Sequence, residues 1–177
     1  MKTEPRLIEE AQAGSLTAFT ALVEHYQPRL LRFLRARCGS SSDAEDALQD
    51  TFVNAYRYLY SYDARWAFST WLYRIAIRNA ARYSRAAKKT DEQEAPPGAP
   101  DALEQMIKKE EETNLWTTAR AVLNDEVYTA LWLRYAEEMP IVDVAYTLKR
   151  STSWTKVNLL RARSRLGEAL PEGDEVR

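Results

Sequence analysis

Arg74, Arg78 and Arg82 recur at every fourth position, and Arg85, Lys88 and Lys89 continue the series. On a helix that spacing stacks guanidinium groups on one face, where like charges repel by a few tenths of a kcal/mol per pair, roughly. A polyanion would remove the penalty, because each phosphate neutralised also releases bound counterions. Tyr60, Tyr62, Trp66, Phe68 and Tyr73 lie nearby. Unstacked bases gain about 1–3 kcal/mol each on an aromatic surface, so cations interleaved with rings suit single-stranded nucleic acid. Trp66 sits in a polar loop and is the better candidate for touching a base. Phe68 and Trp71 can also be read as core, and Trp71 is assigned there.

A second constellation precedes this one. Asp43, Glu45, Asp46, Gln49, Asp50 and Asn54 cover the polar faces of a helix whose apolar face starts at Ala44. Taken alone, this is either a solvated acidic face or a docking surface for a basic partner helix, with charge steering the encounter. A third lies near the C-terminus. Ile141 to Leu148 gives a short helix with Val144, Ala145 and Leu148 inward, and Lys149 to Thr152 turns the chain. The next helix exposes Trp154, Lys156, Asn158 and Arg161, with Arg163 and Arg165 behind. This reads as a helix-turn-helix, whose second helix places its first residues in the major groove. Ser, Thr, Asn, Lys and Arg there are suitable readers of base edges and phosphates.

Charge layout agrees with two separate contacts. The totals nearly cancel, 25 basic residues against 26 acidic, which argues against a protein that simply coats DNA. Residues 1–89 carry 14 Lys/Arg against 9 Asp/Glu, residues 91–138 carry 4 against 12, and residues 140–170 carry 6 against 2. Two basic blocks therefore flank an acidic one. Cys38 is the only cysteine and His25 the only histidine, too few for a Cys/His zinc site or an intramolecular disulfide. Cys38 reads as a small, partly buried apolar residue. No cofactor or metal is expected. The start, MKTEPRLIEE, lacks the apolar run of a signal peptide, and no window reaches the ~20 apolar residues of a membrane span. A cytoplasmic protein with no membrane insertion of its own is expected.

The positioning elements are helices, because apolar residues recur at three and four rather than two. After Gly14, Ser15 caps a helix with Leu16, Phe19, Leu22, Val23 and Tyr26 inward. Pro28 starts a second one carrying Leu30, Leu31, Phe33 and Leu34 to near Gly39. Ser42 with Glu45 forms a capping box for the third helix. It buries Ala44, Ala47, Leu48, Thr51, Phe52, Ala55, Tyr56 and Leu59. A loop from Ser61 to Ala67 leads to a fourth helix, capped by Ser69 or Thr70, with Trp71, Leu72, Ile75, Ala76, Asn79, Ala80 and Tyr83 inward. Lys88 to Asp101 holds three of the seven prolines and reads as a linker. Helices then follow over about Ala102–Val122, Asp125–Ala136, Val142–Leu148 and Ser153–Leu170, with a frayed tail. The expected fold is all-α: a domain over 1–89, a linker over 90–101, and a helix-turn-helix domain over 102–177.

Four strings carry a family resemblance: AFTALVEHYQPRLLRFLRARCG, DAEDALQDTFVNAYRYL, FSTWLYRIA and the block LRYAEEMPIVDVAYTL…LLRARSRL. They resemble the sigma-70 superfamily of bacterial transcription factors in its smallest, extracytoplasmic-function form, over about 15–89 and 118–170. The resemblance implies a stress-response promoter-specificity subunit of RNA polymerase, not an enzyme. It implies that Asp43, Glu45, Asp46, Gln49, Asp50, Phe52, Asn54 and Arg57 grip the β′ clamp helices. Arg65, Trp66, Ser69, Thr70, Arg74, Arg78, Asn79, Arg82 and Arg85 would hold the melted non-template strand of the −10 element, where a loop takes a flipped base. Arg150, Ser151, Thr152, Ser153, Trp154, Lys156, Asn158 and Arg161 would read the −35 duplex, in a module also touching the β flap. The linker would thread toward the RNA exit path, and an anti-sigma factor is an expected partner.

This chain departs from the pattern in two places. Arg78 and Arg82 stand where the family usually has Asn, then Asn or Asp. Lys149 replaces a usual Gly, and Trp154-Thr155-Lys156-Val157-Asn158 replaces a usual Thr-Val-Lys-Ser-Arg run. Those changes leave open a sigma mimic that binds an anti-sigma factor without initiating transcription. An ordinary dimeric helix-turn-helix repressor is a further alternative, and would bind duplex tightly without polymerase.

Overall fold

A computed structural model describes residues 2–87 and 114–170, and every described element is helical. The expected linker, the helix start at Ala102, the tail, and the side chain of Arg85 lie outside the described residues. The chain divides into two compact units, one on each side of residues 88–113.

The first unit holds α1 (Glu4–Gln12), α2 (Leu16–Arg37), α3 (Ser41–Arg57), a 3₁₀ turn (Leu59–Ser61) and α4 (Phe68–Ala87). α1 was not foreseen from sequence. Its nine residues bury only Ile8 and Ala11. It is held by tertiary bonds: the Tyr26 hydroxyl donates to Glu4 Oε2 at 2.8 Å, and Gln12 Nε2 donates to the Leu59 carbonyl at 3.1 Å. Burial, then the bond to Glu4, pushes the Tyr26 phenol far above its usual range. Gly14 then takes φ +100°, a left-handed conformation that ends one helix and lets Ser15 cap the next, its hydroxyl accepting from Ala18 N.

The break expected at Pro28 does not occur, and α2 runs through it as one helix of 22 residues. Proline removes the bond to the Glu24 carbonyl. Glu24 and Pro28 both lie on the exposed face, so water can take the orphaned carbonyl while Leu22, Tyr26, Leu30, Phe33 and Leu34 stay in the core. The cap of α3 is also earlier than expected. Ser40, not Ser42, accepts from Asp43 N, at 3.1 Å, and Ser42 falls in the first turn. α4 starts at Phe68, so Ser69 and Thr70 are first-turn residues rather than caps.

Ala44, Ala47 and Ala55 of α3 and Ala76 and Ala80 of α4 are fully buried, which lets the helices of this unit approach closely. Rings from α2 and α4 fill the rest: Phe33 meets Tyr73 edge-on at 5.2 Å, and Tyr26 meets Phe68 at 5.6 Å. Tyr73, counted among the possible base-stacking rings, is thus sealed in the core.

The second unit contains α5 (described over 114–122), α6 (Asp125–Tyr135), α7 (Ile141–Leu148) and α8 (Thr152–Ala169). α6 is buried at every position from Val127 to Leu133 and packs against both α7 and α8. A helix enclosed all round is the pivot of its unit. Asn124 caps it, accepting from Val127 N at 2.9 Å. Trp116 of α5 lies 4.6 Å from Trp132 of α6, whose indole N–H donates to the buried Glu137 carboxylate at 3.2 Å. In α7, Val144, Ala145 and Thr147 are buried, while Leu148 is only half-buried. Thr147 turns its hydroxyl to the Asp143 carbonyl at 2.7 Å, which satisfies it inside the unit.

Lys149 adopts φ +55° and ψ +43° between α7 and α8, the left-handed conformation for which Gly carries no Cβ penalty. Replacement Lys149→Gly is expected to stabilise the second unit by about 1 kcal/mol. Increased protection of α6 amides in hydrogen exchange would show it; unchanged or reduced protection would contradict the strain.

Candidate functional site

α3 carries a different surface on each side. One side, with α2, forms an apolar groove of about 690 Å³ lined by Leu16, Phe19, Leu48, Phe52, Val53 and Tyr56, with Gln27, Glu45, Gln49 and Arg57 at its edge. Leu16 is 64% exposed and Tyr56 49%, so large apolar side chains here face solvent rather than the core. The expected burial of Phe52 and Tyr56 is therefore incomplete. Phe19 meets Tyr56 edge-on at 5.0 Å, holding the rim ring in place. Arg35 lies 3.8 Å from Glu45, both exposed.

The other side faces α4 and takes two of the expected polymerase-binding residues with it. Asp50 accepts from the Tyr83 hydroxyl at 2.8 Å and lies 3.7 Å from Arg82. The bond to Asp50, reinforced by burial and the carboxylate's charge, holds the Tyr83 phenol up at about 12. Asn54 donates to Asn79 Oδ1 at 3.4 Å, and Asn79 donates to Thr51 Oγ1 at 3.2 Å. Thr51 in turn donates to the Ala47 carbonyl at 2.6 Å. Asp50 and Asn54 thus serve the α3–α4 seam, whereas Glu45, Gln49, Phe52 and Arg57 border the groove. Asp43 sits in the first turn of α3 and Asp46 is exposed.

A polar cleft of about 480 Å³ opens between α3 and α4, lined by Asn54, Tyr58, Ser61, Trp71, Arg74, Ile75, Arg78, Asn79 and Arg82. Here the sequence expectations need three corrections. Trp71, assigned to the core, is half-exposed and lines the cleft. Thr70 is completely buried and cannot touch DNA. Asn79 is 2% exposed with its amide committed to the seam, so it is a structural residue. Arg78 and Arg82 are exposed, Arg74 and Ser69 half-exposed. The loop 62–67 is braced by Tyr62, whose hydroxyl donates to the Trp66 carbonyl at 2.7 Å, and by Arg65, which pairs with Asp63. That pairing holds the Asp63 carboxyl below its usual range. Trp66 is half-exposed at the end of this loop.

In the second unit, the exposed end of α8 presents Thr152, Ser153, Lys156 and Arg161. Ser151 is the cap, accepting from Trp154 N at 3.0 Å. Arg150 is less available than expected. It makes two bonds to Glu126 of α6, at 2.6 and 2.9 Å, and lies 5.1 Å from the Trp154 ring centre. Its pKa is raised by those bonds to Glu126. Asn158 Nδ2 donates to the Trp154 carbonyl one turn back, at 2.9 Å. Arg150 and Trp154 therefore brace the turn.

Comparison with known proteins bears on all of this. The sigma-70 region 2 family model matches residues 22–90. The chain is 30% identical over 182 residues to the RNA polymerase sigma-H factor of Pseudomonas aeruginosa, covering 94% of this chain and 93% of that protein. It is 30% identical over 180 residues to the ECF RNA polymerase sigma-E factor of Haemophilus influenzae, covering 91% and 92%. Among solved structures it resembles CnrH bound to the cytosolic domain of CnrY, with a TM-score of 0.70, 23% identity and coverage of 92% and 93%. It also resembles the sigma factor RpoE bound to the anti-sigma factor NepR from Bartonella quintana, with a TM-score of 0.69, 20% identity and coverage of 90% and 100%. At such identities these two structures support the fold.

Two outcomes follow from the seam. Asn79→Ala strands the partners of a buried amide and is expected to cost about 1–3 kcal/mol in stability, read by urea denaturation of the full chain. Because the folded state favours the neutral Tyr83 phenol, its contribution is complete below pH 10.0 and fades as pH rises through about 12. In phenolate absorbance, Tyr83→Phe should remove a component that titrates near 12; loss of one that titrates near 10.0 instead would refute the bond.

Proposed function

This chain belongs to the extracytoplasmic-function group of RNA polymerase sigma factors, and on that premise we propose how its surfaces divide the work of promoter recognition. The groove between α2 and α3 docks core polymerase through the β′ clamp helices. Phe52, Val53 and Tyr56 supply apolar anchors, and Glu45, Gln49 and Arg57 the polar rim. An interface of this kind draws most of its energy from a few central apolar contacts and uses rim charge to steer. Only the groove side of α3 makes that contact, because Asp50 and Asn54 are bound to α4.

The cleft between α3 and α4 receives the non-template strand of the −10 element once it is melted. Trp66 and Trp71 offer ring faces for unstacked bases, and Arg74, Arg78 and Arg82 offer charge to the backbone. Trapping an unstacked base offsets part of the few kcal/mol, roughly, that unpairing costs. In the second unit, α8 reads the −35 duplex with Thr152, Ser153, Lys156 and Arg161, while Arg150 and Trp154 hold the helix start in place. Reaction chemistry belongs to the polymerase. An anti-sigma factor is the proposed regulator, by analogy with the RpoE–NepR complex.

The observation that carries this reading is the exposed apolar groove backed directly by an arginine-lined cleft, with α3 common to both. Run-off transcription with purified core polymerase tests it. The wild-type chain should give promoter-dependent transcripts. Phe52→Glu should lower core affinity at least about tenfold, as expected for losing an apolar anchor worth over 1 kcal/mol. A sigma mimic would give no transcript. A dimeric repressor would shift duplex DNA without polymerase. Normal core binding by Phe52→Glu would remove the groove from the interface.

A further inference from the structure

We infer that α8 reads a thymine in the upstream duplex through Val157, whose side chain meets the 5-methyl group in the major groove. This rests on the proposal above that α8 lies on the −35 element. Thr155, Leu159, Ala162 and Leu166 are buried and fix which side of α8 faces the core of its unit. On the opposite side Val157 is 45% exposed and Leu160 68%. Val157 stands one turn after Ser153 and one turn before Arg161, and Leu160 stands one turn after Lys156. Two apolar side chains are thus set among exposed residues proposed to read the duplex.

Exposed apolar residues scattered singly need no explanation, but these two are neighbours on one helical face. The charge around them points to the partner. From Thr152 to Gly167 the chain carries Lys156, Arg161, Arg163 and Arg165 and no carboxylate. Arg163 and Arg165 are exposed and, at about 100° per residue, fall on opposite flanks of the apolar strip. An apolar strip with cations on both flanks matches a major groove, where phosphates line the walls and base edges form the floor.

Among base edges in that groove, thymine alone presents a methyl group; guanine, adenine and cytosine present acceptors and amines. A valine pressed on those polar groups would strip water from them and return no hydrogen bond. Pressed on the methyl, it removes apolar surface from water, which favours thymine about fourfold for one buried methyl. Asn158, the neighbouring residue that could have paired with adenine, is half-buried and donates an amide hydrogen to the Trp154 carbonyl at 2.9 Å.

The test uses holoenzyme assembled from the full chain and purified core polymerase, with a promoter library randomised across the upstream duplex. Recovered sequences are rebuilt with deoxyuracil in place of each thymine in turn, on either strand. Wild-type holoenzyme should enrich thymine at one position, and deoxyuracil there should lower binding about fourfold. 5-Methylcytosine there should bind better than cytosine, because it restores the methyl. Val157→Ser should bind thymine and deoxyuracil equally at that position and keep its other preferences. Methyl sensitivity undiminished in Val157→Ser would assign the contact to another residue and overturn the inference. Weaker core binding by Val157→Ser, with its base preferences intact, would assign the strip to a protein partner and overturn it too. Indifference of wild type to deoxyuracil at every position would do the same, while enrichment of any upstream sequence would leave the −35 reading standing. A wild-type holoenzyme that enriches no upstream sequence would overturn both.

Discussion

The seam between α3 and α4 is the contact on which the first unit's function depends. Alanines on both helices remove bulk, and the chain of bonds from Asn54 through Asn79 to Thr51 fixes register where alanine alone would let the helices slide. Buried polar groups are costly unless satisfied, so a pair of helices joined by a satisfied network has few alternative packings. Asp50 and Tyr83 close the same seam nearer the surface.

Because α3 spends one face on this seam, its opposite face is left to form the groove with α2. The apolar side chains there are exposed for a reason: burying them inward would require the helix to rotate, and the seam forbids it. Charge is divided in the same way. Carboxylates at Glu45 and Asp46 remain outward, Asp50 is recruited inward, and the arginines of α4 gather on the far side of the cleft. One helix therefore borders the apolar groove on one side and the arginine-lined cleft on the other.

The second unit answers a different constraint. α6 is enclosed on all sides, and α7 and α8 are arranged around it. The turn between them uses a lysine in a conformation that suits glycine, with Arg150 tied to Glu126 immediately after. A strained residue followed by a doubly bonded one makes a turn of fixed shape, and it aims the first residues of α8 outward.

The all-helical fold, the division into two units and most of the helices after α1 were legible in the sequence, because periodicity is a local property. The family resemblance was legible because its strings are long and ordered. What could not be read was which way each polar side chain turns. Asp50, Asn54, Thr70 and Asn79 have the composition of contact residues, yet packing of α3 on α4 turns them toward one another or into the core. Trp71 looked apolar enough for the core and was left at the cleft because Phe68, Leu72 and Tyr73 had already filled it. Pro28 looked like a break, and only the solvent exposure of its turn lets α2 continue. α1 has too few buried residues to announce itself, and Tyr26 and Leu59, far along the chain, supply what holds it. Local sequence decides which helices form; the bonds between them decide which face of each remains free to act.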